Sequence, residues 1–188
     1  MSSRDELQEL KEDLVTLASG ARDEFGRLNV KQLNWKPSPE RWSVAQCFDH
    51  LVTSNAPYFP IFESVINDQK KSRAIERLPL LPSLWGKLLI KSLDPKATRK
   101  LKAPGRFQPS ASDISGSIIE EFVGQQTKIA ESIEAINELD PERIVITSPA
   151  ASIVTYSLMD AFRIIVVHEK RHLQQAQRVT QEPGFPTH

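Results

Sequence analysis

Three histidines are the side chains in this 188-residue sequence whose type and spacing could hold a metal ion. Two of them, His168 and His172, sit in the run His168-Glu169-Lys170-Arg171-His172. An i, i+4 spacing places both imidazoles on one side of a helix, close enough to grip one cation. The third candidate, His50, lies far upstream in an amphipathic segment of its own. Neutral imidazole offers a lone pair to a borderline metal such as zinc or nickel, and three such ligands leave a position for water or substrate. A water there can reach a pKa of about 7 and act as nucleophile or base. All three rings must be neutral to bind, so binding is expected to weaken as pH falls through about 6.5. The alternative is that these are hydrogen-bonded core histidines with no metal among them. The fourth histidine, His188, ends the sequence and is expected to fray.

The same five residues spell H-E-x-x-H, the pattern in which a zinc protease uses the glutamate to activate water. The surrounding sequence disfavours that chemistry. The extended form of the motif needs Gly at the place of Gln175 and His at the place of Arg178. Only sixteen residues follow His172, and Glu182 is the sole acid among them. On a helix Glu169 is rotated by about 100° from His168, so it need not face the same ion.

The elements that would position the histidines read as helices. Leu7, Leu10, Leu14, Leu17, Ala21 and Leu28 recur at helical spacing and predict a first helix from about Ser3 to Leu28. Trp35-Lys36-Pro37-Ser38-Pro39 marks a connection. Ser43 and Gln46 form a Ser-x-x-Gln capping box ahead of Val44, Phe48, Leu51 and Val52, which starts a second helix carrying His50 at the edge of its apolar stripe. Pro57 and Pro60 predict a kink or break near Asn55 to Pro60, with the pattern resuming through Phe62 and Val65.

Between Lys70 and Arg106 the chain carries eleven Lys or Arg against Glu76 and Asp94. Pro79, Pro82, Pro95 and Pro104 divide this stretch, and one short amphipathic helix fits Ser83 to Lys91. The reading is a basic, proline-rich crossover over 71–109, long enough to start the next helix at either end of the molecule. Ser110 and Asp113 signal a third helix that carries Ile114, Ile118, Phe122, Ile129, Ile133 and Ile136 on one face. Two β-rich runs, Arg143 to Thr147 and Ser152 to Tyr156, predict a small hairpin. Ser157, with Asp160 as its box partner, opens a fourth helix on which Ala161, Ile165, His168, His172 and Ala176 share a face.

Four amphipathic helices with one long crossover predict an all-α four-helix bundle, with a small extended segment before helix four, and a single domain over 1–188. Basic and acidic residues balance at 24 each, so no overall field recruits nucleic acid. The charged start and the lack of a long apolar run argue against a signal peptide or a membrane span. The single cysteine, Cys47, suits a reducing, cytoplasmic setting.

Trp42-Ser43 followed by His50-Leu51, and His168-Glu169-Lys170-Arg171-His172-Leu173-Gln174-Gln175, resemble the W-S-x-x-x-x-x-x-H-L and H-x-x-x-H-x-x-Q motifs of DinB-like proteins. Pro104-Gly105-Arg106-Phe107-Gln108-Pro109 is similar to that family's approach to its third helix. The resemblance implies a divalent metal held by His50, His168 and His172, often a homodimer, and activities from thiol-dependent transfer or isomerisation to metal-dependent hydrolysis of small molecules. The partners it implies are a small-molecule substrate and a low-molecular-weight thiol; a bundle that binds metal or ligand without turnover is the alternative. Gln175 becomes a candidate for orienting a ligand. Pro57 and Pro60 depart from the family's second helix, and Cys47, one turn before His50, is a small core residue close to the proposed metal.

Overall fold

The computed structural model describes residues 2–77, 81–95, 105–110, 113–136 and 138–187; His188, Pro79 and Pro104 lie outside them. Helix α1 spans Ser3–Phe25 and buries Leu7, Leu10, Leu14, Leu17, Ala21 and Phe25 on one stripe. It ends a turn before the predicted Leu28, because Asn29 starts another helix: its side chain and that of Gln32 form a capping box for the short α2, Val30–Asn34. The apolar period alone does not reveal this extra turn.

Helix α3, Val44–Asn55, begins as the capping box at Ser43 and Gln46 requires, with both reciprocal bonds formed at 3.1 and 3.2 Å. The proline break falls where expected. A 3-10 turn over Ala56–Tyr58 holds Pro57, and α4, Phe59–Ile66, resumes with Pro60 in its first turn, where no intrahelical donor is lost. The break lies beyond His50 and leaves that turn of α3 regular. It is pinned from the other side by the Tyr58 hydroxyl, which meets the Tyr156 hydroxyl at 2.6 Å.

The crossover contributes a 3-10 turn at Ala74–Arg77, helix α5 at Leu81–Leu93 and a second 3-10 turn at Gly105–Phe107. Helix α6 runs Ile118–Ile136. It starts later than Ser110 or Asp113 because Asp113 adopts a left-handed backbone, φ 57°, which breaks the helical path. Ile114 is buried all the same: Asn34 accepts from its N–H at 3.0 Å and donates to its carbonyl at 2.9 Å, holding it as a non-helical residue. Strands β1, Val145–Thr147, and β2, Thr155–Ser157, pair antiparallel with Ile146 opposite Tyr156, so the hairpin exists with its second strand shifted toward the next helix.

Helix α7, Leu158–Thr180, is N-capped by Ser157, whose hydroxyl accepts from Asp160 N at 3.0 Å. The expected reciprocal bond is replaced, since the Asp160 carboxylate binds Arg163 at 2.7 Å. Arg163 also reaches Glu6 and Glu142, tying α7 to α1 and to the turn before β1. Helices α1, α6, α3 and α7 enclose the core in that cyclic order, with α5 packed on α7 and β2. The fold is all-α with a small two-stranded accessory. No helix among the described residues is long and apolar enough to cross a membrane.

Candidate metal centre

His50 from α3 and His168 and His172 from α7 converge in the seam between those helices. One ring nitrogen from each lies within 4.8 Å of the others. The i, i+4 spacing on α7 stacks two rings one turn apart, with centroids 4.6 Å apart and planes at 88°. His50 approaches from the facing helix, 5.0 Å from the His168 ring and 4.7 Å from that of His172. An edge position on the α3 stripe is therefore buried once α7 packs beside it, and His50 is 4% exposed.

The hydrogen bonds settle which nitrogen of His50 is free. Its Nδ1 lies 2.6 Å from the Phe107 carbonyl, which can only accept, so Nδ1 carries the proton and Nε2 keeps its lone pair. Ser54 Oγ stands 3.4 Å from the same Nδ1. The bare Nε2 then faces His168 Nε2 at 3.1 Å. Such a contact has two chemistries: an N–H···N bond with the proton on His168, or two lone pairs sharing a cation. Zinc holds nitrogen ligands at roughly 2.0–2.1 Å, which sets two of them roughly 3.0–3.4 Å apart, so the spacing suits the second as well as the first. Among the described residues, His172 Nδ1 is buried with no hydrogen-bond partner. Three neutral rings, one oriented by a carbonyl and one with a buried nitrogen left unpartnered, fit a divalent transition ion.

Electrostatics favours the neutral rings. Burial lowers the pKa of His50, against the opposing pull of the Phe107 carbonyl and Asp49. Burial pushes His168 down to about 3, with His50 and Arg171 adding to the effect. It pushes His172 to about 2, reinforced by His168, His50 and Arg171 and opposed by Gln175. The expectation that protons compete for the site near pH 6.5 therefore moves to lower pH.

Trp42 closes one side. Its ring stacks on His172 at 5.5 Å and 19° and tilts against His50 at 5.0 Å. The sequence gives Trp42 as part of a motif, but no periodicity assigns it this place, because it precedes the helix. Lys170 is turned to Asp13 at 2.7 Å, and Arg171 donates to the Ser92 and Asp94 carbonyls at 3.2 and 3.3 Å. Cys47 is buried, and burial raises its thiol to about 12, so it stays protonated and inert.

Glu169 is wholly buried, held at Oε1 by Asn55 at 2.8 Å and Gln126 at 3.0 Å. Burial raises its pKa to about 8, against the pull of those two amides. It is thus a neutral acid at pH 7 between α3, α6 and α7, and Oε1 already accepts two bonds, so Oε2 bears the proton. These contacts are not those of a carboxylate that activates water at a metal. A helix flanked on both sides gives no solvent face to the residue beside His168.

No solved structure matches this chain. The uncharacterized protein YuaE of Bacillus subtilis (strain 168) is 26% identical over 161 residues, covering 85% of this chain and 90% of YuaE. The model of the DinB superfamily matches residues 14–176, a span that runs from the middle of α1 through most of α7 and takes in all three histidines, and the chain belongs to that superfamily.

Proposed function

We propose that this protein is a metal-dependent enzyme in which His50, His168 and His172 hold a divalent ion, zinc or nickel, for chemistry on a small molecule. The observation that carries the reading is the His50 ring, whose Nδ1 is spent on the Phe107 carbonyl while Nε2 faces His168 at 3.1 Å. A bound ion would supply Lewis acidity and lower the pKa of a water or thiol at its open position. The protein's part is to keep the three rings neutral by burial, to orient His50 through the carbonyl, and to wall the site with Trp42. Cys47 is protonated and buried, so a thiol nucleophile has to come from a low-molecular-weight cosubstrate. Transfer of such a thiol to an electrophile, or hydrolysis of a small ester or amide, are the two reactions this arrangement serves.

The proposal takes 1–188 as one domain. A homodimer and a cytoplasmic setting follow from the family resemblance and the lone cysteine. A bundle that binds without turnover is the second reading, favoured by the fact that the 3.1 Å contact also suits an N–H···N bond.

Elemental analysis of untagged protein separates them. About one metal per chain, lost in both His50→Ala and His168→Ala, is the expected result; metal retained in both variants, or absent from the wild type after zinc or nickel loading, defeats the triad. With metal in place, a panel of thiols and electrophilic acceptors, run beside small esters and amides, distinguishes transferase from hydrolase. No turnover in either panel favours the binding reading.

A further inference from the structure

The crossover is fastened to the bundle at the histidines themselves. On α3, Gln46, Asp49 and His50 lie at i, i+3 and i+4, and each bonds the backbone that returns from the crossover. His50 Nδ1 donates to the Phe107 carbonyl, Gln46 Nε2 donates to the Ser110 carbonyl at 2.9 Å, and Asp49 Oδ2 accepts from Ser110 N at 2.7 Å. The Phe107 side chain is buried beneath this strap. The outgoing end is fastened on α7, where Arg171, next to His172, donates to the Ser92 and Asp94 carbonyls. Both helices that supply ligands therefore also grip the crossover backbone, within one residue of a ligand in each case.

We propose that docking of the 105–110 strap and metal loading of the three histidines are one coupled equilibrium, with Asp49 as the positioning residue that acts through Ser110 and Phe107 on His50. The inference rests on the metal reading above. With the strap docked, the Phe107 carbonyl fixes the His50 tautomer and ring direction, so Nε2 is presented to the ion. With the strap released, either ring nitrogen can carry the proton and the ring can turn. A metal that needs Nε2 bare and aimed binds the docked form better. By reciprocity it must hold the strap down by the same factor. Partners that orient a ligand through its other ring nitrogen typically change metal affinity by about 10–100-fold, and Asp49 acts one step further out, so about tenfold is expected.

The test compares Asp49→Ala with Asp49→Asn in the full chain. Both remove a negative charge near the site, but Asn keeps an oxygen that can accept from Ser110 N. Zinc affinity is read by competition with a chromogenic chelator, and exchange of the Ser110 amide proton by NMR with and without zinc. Asp49→Ala is expected to bind zinc about tenfold more weakly than Asp49→Asn, and zinc to slow Ser110 exchange in the wild type by a similar factor. Equal zinc affinity in the two variants, or Ser110 exchange that ignores zinc in a wild type that binds it, overturns the coupling while leaving the triad standing. A wild type that binds no zinc and no nickel overturns the triad and the coupling together. Circular dichroism of both variants confirms the fold, and a misfolded Asp49→Ala is replaced by Asp49→Leu, which also lacks the acceptor.

Discussion

Replacing Glu169 with Gln should flatten the dependence of stability on pH above neutrality. The carboxyl is wholly buried, with an ordinary pKa of 4.5 raised to about 8 in the folded chain. A raised folded pKa means that the native state holds a proton the unfolded chain has lost. The contribution is complete below pH 4.5 and is lost as pH rises through about 8. Within that window the slope approaches about 1.4 kcal/mol per pH unit. The histidines act in the opposite sense: with depressed folded values they add stability as pH rises through the ordinary value of 6.5, together roughly 1 kcal/mol between pH 6.5 and 8. Between pH 6.5 and 8 the two trends overlap, so the Glu169 effect is read as the difference between wild type and E169Q, which should shift against wild type by roughly 1.5–2 kcal/mol. Gln keeps an oxygen for Asn55 and Gln126 and replaces the acid O–H with an amide, so the variant should show only the histidine rise over the same interval. Urea unfolding followed by circular dichroism, with a chelator present, measures both. Parallel slopes for wild type and E169Q would mean that Glu169 is charged in the native state, and the buried-acid reasoning would be wrong.

Three further outcomes follow from the same geometry. A Cβ at Gly86 would overlap the Asp160 carboxylate where α5 crosses α7, so Gly86→Ala should lower stability by about 1–3 kcal/mol in thermal or urea unfolding; an unchanged midpoint would show that this crossing is loose. Because burial lowers the pKa of all three rings, zinc affinity measured by chelator competition should fall less between pH 7 and 5.5 than three ordinary imidazoles would require, whereas a loss of tenfold or more per pH unit below 6.5 would place protons on them. Trp42 stacks on His172, so zinc should change the tryptophan emission of wild type and leave that of Trp42→Phe unaltered; a response that survives in the variant would assign it to Trp35 or Trp85.

Helices and their order are legible because long apolar stripes have one period, and Leu7 to Phe25 or Phe122 to Ile136 can bury in no other conformation. Starts are legible where a side chain both begins the helix and names its partner, as Ser43 does with Gln46. The same signal misleads where a tertiary partner competes. Ser110 is taken by Asp49 and Gln46, and Ile114 by Asn34, so the third main helix starts only at Ile118. The triad is legible as types and spacing. The tautomer of His50 is not, because it is set by a backbone carbonyl 57 residues away.

Glu169 is the residue the sequence leaves without a place, since its motif invites a role at the metal and its offset of about 100° says only that it need not take one. The place it takes has a reason the sequence carries elsewhere. Gln126 interrupts the apolar stripe of Phe122, Ile129 and Ile133, and Asn55 follows Phe48 and Leu51 at core spacing on α3. Two polar residues on core faces of different helices must find partners or leave amides unsatisfied in the interior. A carboxyl on the inner side of α7 is such a partner, and the protonated form lets it join two amides without an opposite charge. The bundle thus separates two buried polar clusters on successive residues of one helix: His168 faces the metal seam, and Glu169 joins α3, α6 and α7 through neutral hydrogen bonds. Charging the second would leave an unpaired carboxylate in the core, which is why its pH response should be visible in stability.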